Sequence, residues 1–215
     1  MASSLFSRLM RPFSTTGASL RVVENGGSSG ADAAAGTKYE IATVAAGCFW
    51  GVEHKYRHTF KGKGLLDAKV GYTGGDTEHP SYRAVCGGRT GHAEALQITF
   101  DPTALSYRTL LEYFYRIHDP TTLNSQGPDT GPQYRSAIFF HTPEQEAVAR
   151  DVTARANAEW WNGKIVTDIV PAGKWWGAEE YHQLYLDKNP GGYECPTHFD
   201  RKLKPLSRPE GESQL

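Results

Sequence analysis

At 215 residues, 39% hydrophobic and 12% aromatic, the chain is long enough for one domain with a sizeable core and too short for two large ones. Lys plus Arg number 23 against 24 acids, a formal net charge of -1, which excludes the basic footprint of a nucleic-acid binder or of a surface drawn to anionic lipid. No apolar run approaches the roughly 20 residues needed to cross a bilayer, so a soluble monomer with small-molecule or protein partners is expected.

Residues 1–23 carry Arg8, Arg11 and Arg21, several serines and no acid, the composition of a mitochondrial transit peptide. Arg11-Pro12-Phe13-Ser14-Thr15-Thr16 resembles a matrix-processing site, so a mitochondrial location is expected, with the cytoplasm as the alternative. A Gly/Ser/Ala linker follows to about Thr37, and residues 1–37 stand apart from the fold. From Lys38, strands alternate with helices. Tyr39–Ala45 reads as a buried strand broken by Gly47, and Cys48 opens a helix to about His58. Leu65–Tyr72 is a strand, Pro80–Cys86 a short helix, and Glu94–Phe100 a strand of alternating apolar residues. Leu105–Ile117 is an amphipathic helix, and Ser136–Phe140 a strand. Thr142-Pro143-Glu144-Gln145 starts a helix that continues to about Trp160. Ile165–Val170 is a last strand and Ala178–Leu186 a last helix, stopped by Asn189-Pro190-Gly191-Gly192. The alternation predicts helices packed on a mixed sheet in a single domain, residues 38–206. The tail beyond Cys195 is expected to wrap the surface or fray, with 207–215 disordered.

Three cysteines, Cys48, Cys86 and Cys195, are too few for a secreted disulfide scaffold. Cys48 sits in Gly47-Cys48-Phe49-Trp50-Gly51, between a strand end and a helix start. Unpaired backbone N–H groups and the helix dipole there favour a thiolate. The glycines let another molecule approach the backbone, and the two aromatics offer an apolar pocket. A packed structural cysteine is the competing reading of the same residues. Glu94 opens an otherwise apolar strand, which predicts a partly buried carboxyl with a raised pKa, a proton donor near neutrality. A solvated strand-edge glutamate is its alternative. Asp129 to Ser136 reads as a turn delivering Tyr134 to the mouth of a strand, or as ordinary loop chemistry.

Gly47-Cys48-Phe49-Trp50-Gly51, Gly91-His92-Ala93-Glu94, Gly131-Pro132-Gln133-Tyr134-Arg135-Ser136 and Glu180-Tyr181-His182-Gln183 occur in that order. Together, over Lys38 to Cys195, they resemble the peptide methionine sulfoxide reductase A family. The resemblance implies an α+β, ferredoxin-like core and reduction of the S epimer of methionine sulfoxide, free or in proteins, in repair of oxidative damage. It implies that Cys48 attacks the sulfoxide sulfur while Glu94 protonates the oxygen. Tyr82 and Tyr134 would hold that oxygen through their hydroxyls, Asp129 would support the site, and Phe49 and Trp50 would cage the substrate methyl group. A sulfenic acid on Cys48 would be resolved by Cys195, and the disulfide reduced by thioredoxin, with dithiothreitol as a substitute in vitro and no bound cofactor. Members with two tail cysteines differ from this chain, which has one. The flanks of Cys86 suggest a packed thiol.

Two other functions compete. A Cys-His hydrolase needs an imidazole acting on Cys48, but His54 and His58 lie farther along the predicted helix and point away from its start. Those two histidines, at i, i+4 spacing, also suggest a metal-binding protein; with no third ligand nearby in sequence, an exposed helix face is the expectation and no metal is assigned. Trp160-Trp161 and Trp175-Trp176 are expected to pack, the second pair bordering the substrate entrance.

Overall fold

The computed structural model describes residues 39–208; the transit-peptide-like segment and linker lie outside them, as does 209–215. In chain order the elements are β1 (Glu40–Ala46), α1 (Phe49–Phe60), β2 (Leu65–Thr73), α2 (Tyr82–Cys86), β3 (Ala93–Phe100) and α3 (Tyr107–Ile117). There follow β4 (Ser125–Gln126), β5 (Asp129–Thr130), β6 (Ser136–Phe140), α4 (Pro143–Glu159), β7 (Asp168–Pro171), β8 (Trp176–Gly177) and α5 (Tyr185–Lys188). Six strands form one mixed sheet in the order β7-β6-β1-β3-β2-β8, while β4 and β5 make a separate small ladder.

The units β1-α1-β2 and β3-α3-β6 form a ferredoxin-like core. Antiparallel β3 lies between β1 and β2, and β6 pairs antiparallel with the free side of β1. β7 is added parallel to β6, and β8 antiparallel to β2. Period-two alternation divides the central strands. Ala42, Val44 and Ala46 of β1 join Leu96 and Ile98 of β3 on the face that meets the helices. Phe49, Val52, Tyr56 and Phe60 line the inner stripe of α1, and Leu110, Leu111, Phe114 and Ile117 that of α3. Each fully buried Leu or Phe contributes roughly 1.5–3 kcal/mol through burial. The opposite face is built of Ala45, Ala93, Ala95 and Ala137 with Phe139. These small side chains let Ala172 and Trp175 cover the sheet with extended chain. Trp175 therefore packs on the far face of the sheet.

Local chemistry fixes the helix starts. Ser106 accepts the N–H of Thr109, Ser81 that of Ala84 and Thr142 that of Gln145, while the Gln145 side chain accepts the N–H of His141. The helix expected over 178–186 is instead a 3-10 turn, Glu180–His182, and the four-residue α5, separated by Leu184 at φ 56°. Its polar groups are spent elsewhere. The Gln183 amide pairs with both the N–H and C=O of Val70, and the Leu184 N–H donates to Glu53 at 2.7 Å. The tail wraps the molecule. His198 and Leu206 are buried, Trp160 donates to the Lys204 carbonyl, and Ser207, expected to begin the disordered end, donates to Glu159. Among the described residues no helix is long and apolar enough to cross a membrane.

Candidate active site

β1 ends at Ala46, Gly47 turns at φ +90°, and Cys48, a residue 6% exposed, stands at the N-cap of α1. The partner that approaches the two glycines is the protein's own chain. A methyl on Gly47 would lie 2.6 Å from the Gln126 side chain, and one on Gly51 would overlap the ring of His198. His198 Nε2 lies 2.7 Å from the Ala46 carbonyl, so the tail histidine clasps the turn from behind. That nitrogen is therefore occupied, and His54 and His58 contact Asp187, so neither helix histidine that the hydrolase reading offered is turned to Cys48.

Glu94 enters from β3. Its side chain is buried, and Oε2 accepts the backbone N–H of Phe49 at 3.1 Å, bringing the carboxyl to the turn that carries Cys48. Burial raises its pKa to about 8, against the opposing pull of the Phe49 N–H, with Asp129 adding to the rise. The acid is thus mainly protonated at neutral pH, as its sequence context predicted. The thiol differs from expectation. Burial first, and then the Glu94 charge, raise the Cys48 pKa well above the usual cysteine value, and the N–H of Trp50 at the helix start recovers only part of this. At rest Cys48 is a thiol, because desolvation outweighs the helix dipole.

An aromatic wall stands beside it. Phe49 is buried against Tyr72 and His182, at 5.9 and 5.2 Å between ring centroids. Trp50 donates Nε1–H to His182 Nδ1 at 3.0 Å and stacks on Tyr185 at 3.8 Å. This bond fixes the neutral His182 tautomer with the proton on Nε2, and burial lowers its pKa. Glu179 ties the wall together, accepting the Tyr82 N–H at 2.9 Å and the Tyr72 hydroxyl at 2.8 Å. Sequence reasoning gave no role to Glu179, His182 or His198. His182 lay in a quoted motif, but only its contact with Trp50 reveals its work.

Tyr82 and Tyr134 are half-buried and close enough to Glu94 for its charge to help raise their pKa values, after burial, so both remain neutral phenols. Their hydroxyls interact with the thiol of Cys86, which is exposed where a packed thiol was expected. α2 is a single short turn that buries only Val85, so Cys86 at its end stays at the rim. Asp129 accepts the Tyr193 hydroxyl at 2.9 Å on both carboxylate oxygens. Two residues on, Cys195 is buried, with Sγ donating to the Gln126 carbonyl at 3.2 Å. Gln126 therefore touches both the Cys195 thiol and the glycine preceding Cys48. Glu94, Asp129 and Cys195 thus lie near enough to Cys48 to act on it electrostatically, as Tyr82 and Tyr134 do to Glu94.

Residues 40–214 match the family described as peptide methionine sulfoxide reductase. The chain belongs to this family. It is 54% identical over 164 residues to a probable peptide methionine sulfoxide reductase of Schizosaccharomyces pombe, covering 75% of this chain and 96% of that protein. A peptide methionine sulfoxide reductase of Saccharomyces cerevisiae is 47% identical over 175 residues, 77% of this chain and 92% of that one. Among solved structures, reduced Mxr1 from Saccharomyces cerevisiae superposes with a TM-score of 0.73 at 47% identity, covering 77% and 93% of the two chains. Mxr1 in complex with Trx2 aligns at 0.53 and 31%, covering 77% and 91%. As a peptide methionine sulfoxide reductase of the A type, the chain is an oxidoreductase, and its site residues acquire a reaction to perform.

Proposed function

We propose that the protein reduces the S epimer of methionine sulfoxide, free or within proteins, through Cys48, and is recycled by thioredoxin. The observation that supports the reading most is the 3.1 Å bond from the Phe49 N–H to Glu94, a buried carboxyl held by the residue next to Cys48. The sulfur of Cys48 attacks the electron-poor sulfoxide sulfur. Glu94 gives its proton to the oxygen, and its carboxylate takes the thiol proton, so the acid is regenerated and no free thiolate is needed at rest. The hydroxyl passes to the Cys48 sulfur as the bond between the two sulfurs breaks, leaving methionine and Cys48 sulfenic acid. Tyr82 and Tyr134 steady the charge developing on oxygen. Phe49 and Trp50 enclose the methyl group, a contact of about 1 kcal/mol, and exchange of oxygen and lone pair in the other epimer turns the oxygen away from Glu94. Asp129 supports the site from the side of Cys195.

The Cys195 thiol then attacks the sulfenic sulfur, water leaves, and a Cys48–Cys195 disulfide forms. A dithiol such as thioredoxin returns both cysteines to thiols by exchange. The complex of the yeast relative with Trx2 supports this step. The arginine-rich, acid-free start of the chain supports a mitochondrial site of action in protein repair.

The test is incubation with each separated sulfoxide epimer, first with dithiothreitol and then with thioredoxin. Methionine formed from the S epimer alone, with both reductants, is the expected result. Turnover of the R epimer, or turnover by a Cys48→Ser variant, would overturn the reading.

A further inference from the structure

The outer side of α1 carries a cluster that the reaction does not use. His54 and His58, one helical turn apart, both face Asp187 of α5. His54 Nδ1 lies 3.0 Å and His58 Nε2 3.1 Å from the same carboxylate oxygen of Asp187, and the two rings are 4.1 Å apart. Sequence spacing supplied two ligands and no third. The fold brings the third from a residue 129 positions beyond His58.

We propose that His54, His58 and Asp187 hold a divalent cation of the zinc class, pinning α5 to α1. Imidazole and carboxylate suit such a metal, and a tetrahedral ion about 2.0–2.1 Å from each ligand places the ligand atoms about 3.3 Å apart. The separations of 3.0 and 3.1 Å fall a few tenths of an ångström short of that edge, and all three ligand atoms lie within 4.8 Å of one another. Small side-chain rotations would therefore open the cluster around an ion. Access is direct. His58 is 62% exposed, and a cavity of about 400 Å³ lined by His54, Asp187, Pro190 and Glu194 borders the cluster, leaving room for water at the fourth position. The site also lies where a clamp has work to do. α5 is only four residues long, and it and the preceding Leu184 meet α1 through Trp50 on Tyr185, Glu53 on the Leu184 N–H, and the two histidines on Asp187. The tail carrying Cys195 begins where α5 ends.

The full-length reduced protein is titrated with Zn2+ against a chromogenic chelator, and with Co2+ followed by absorption. The expected result is about one equivalent of tightly held ion, at least about tenfold weaker in Asp187→Asn and His54→Ala. The cobalt spectrum should lack a thiolate-to-metal band, and zinc should raise the melting temperature of the wild type but not of Asp187→Asn. Asparagine can still hydrogen-bond to the histidines, so an unchanged melt of metal-free Asp187→Asn shows that the variant folds. If no ion is retained, if affinity in the two variants equals that of the wild type, or if a thiolate band appears, the cluster is a hydrogen-bonded contact or the metal sits on the cysteines, and the proposal fails.

Discussion

The backbone N–H of Phe49 and the carboxyl of Glu94 meet at 3.1 Å, so the residue that follows Cys48 holds the acid proposed to serve it. Glu94→Gln preserves this contact, because an amide oxygen also accepts the N–H, and removes only the acidic proton. The single-turnover reduction rate should fall by about 10² or more, with the fold unchanged by circular dichroism. An undiminished rate in rapid-quench measurements would remove Glu94 from the chemistry.

The pH dependence follows from the same carboxyl. With its pKa at about 8, the wild-type single-turnover rate should hold level below pH 8 and decline above it, as the acid is lost. A rate that climbed through this range would mean that thiolate formation at Cys48 limits the step. Stability carries the matching sign. The folded state keeps a proton that the unfolded state has released, so stability falls as pH rises from the ordinary carboxylate range to about 8 and then levels. Urea unfolding should show a shallower decline for Glu94→Gln.

Cys195→Ser keeps a donor toward the Gln126 carbonyl and so should fold normally. One methionine per protein should form, after which thioredoxin should fail to restore activity. Normal cycling with thioredoxin in a coupled assay would show that Cys195 is not the resolving thiol.

Gly51→Ala should cost about 1–3 kcal/mol in denaturant unfolding, because its methyl overlaps the buried ring of His198. Adding His198→Ala should make the second substitution less than additive. Additive costs would mean that the strain at Gly51 lies elsewhere.

Cys86, exposed among buried cysteines, should take up iodoacetamide first in the reduced protein, as read by peptide mapping. The adduct would crowd Tyr82 and Tyr134 and raise KM for peptide substrates. Earlier labelling at Cys48 would contradict the burial seen at that thiol.

Most strands and long helices were legible because their patterns are local: the alternation over Glu94–Phe100, the spacing of Leu110, Leu111, Phe114 and Ile117, and the Thr142-Pro143 start. Four motifs in order carried the site, and Glu94 announced itself as an acid in an apolar strand. What escaped depends on distant partners. Nothing near Leu184 signals that Glu53 and Val70 take the hydrogen bonds a helix would need. Nothing near Gly51 points to His198, and no local feature links His54 and His58 to Asp187. The resting protonation of Cys48 was misjudged because a helix start is visible in sequence, whereas the depth of its burial is not.

The clasp of His198 behind Gly47 and Gly51 also bears on biosynthesis. The turn that carries Cys48 is translated early, yet the ring that braces it is among the last parts of the described chain to leave the ribosome. A nascent polypeptide therefore lacks the brace behind Gly47 and Gly51 until synthesis is nearly complete, by which point Cys195, three residues before His198, has also been made.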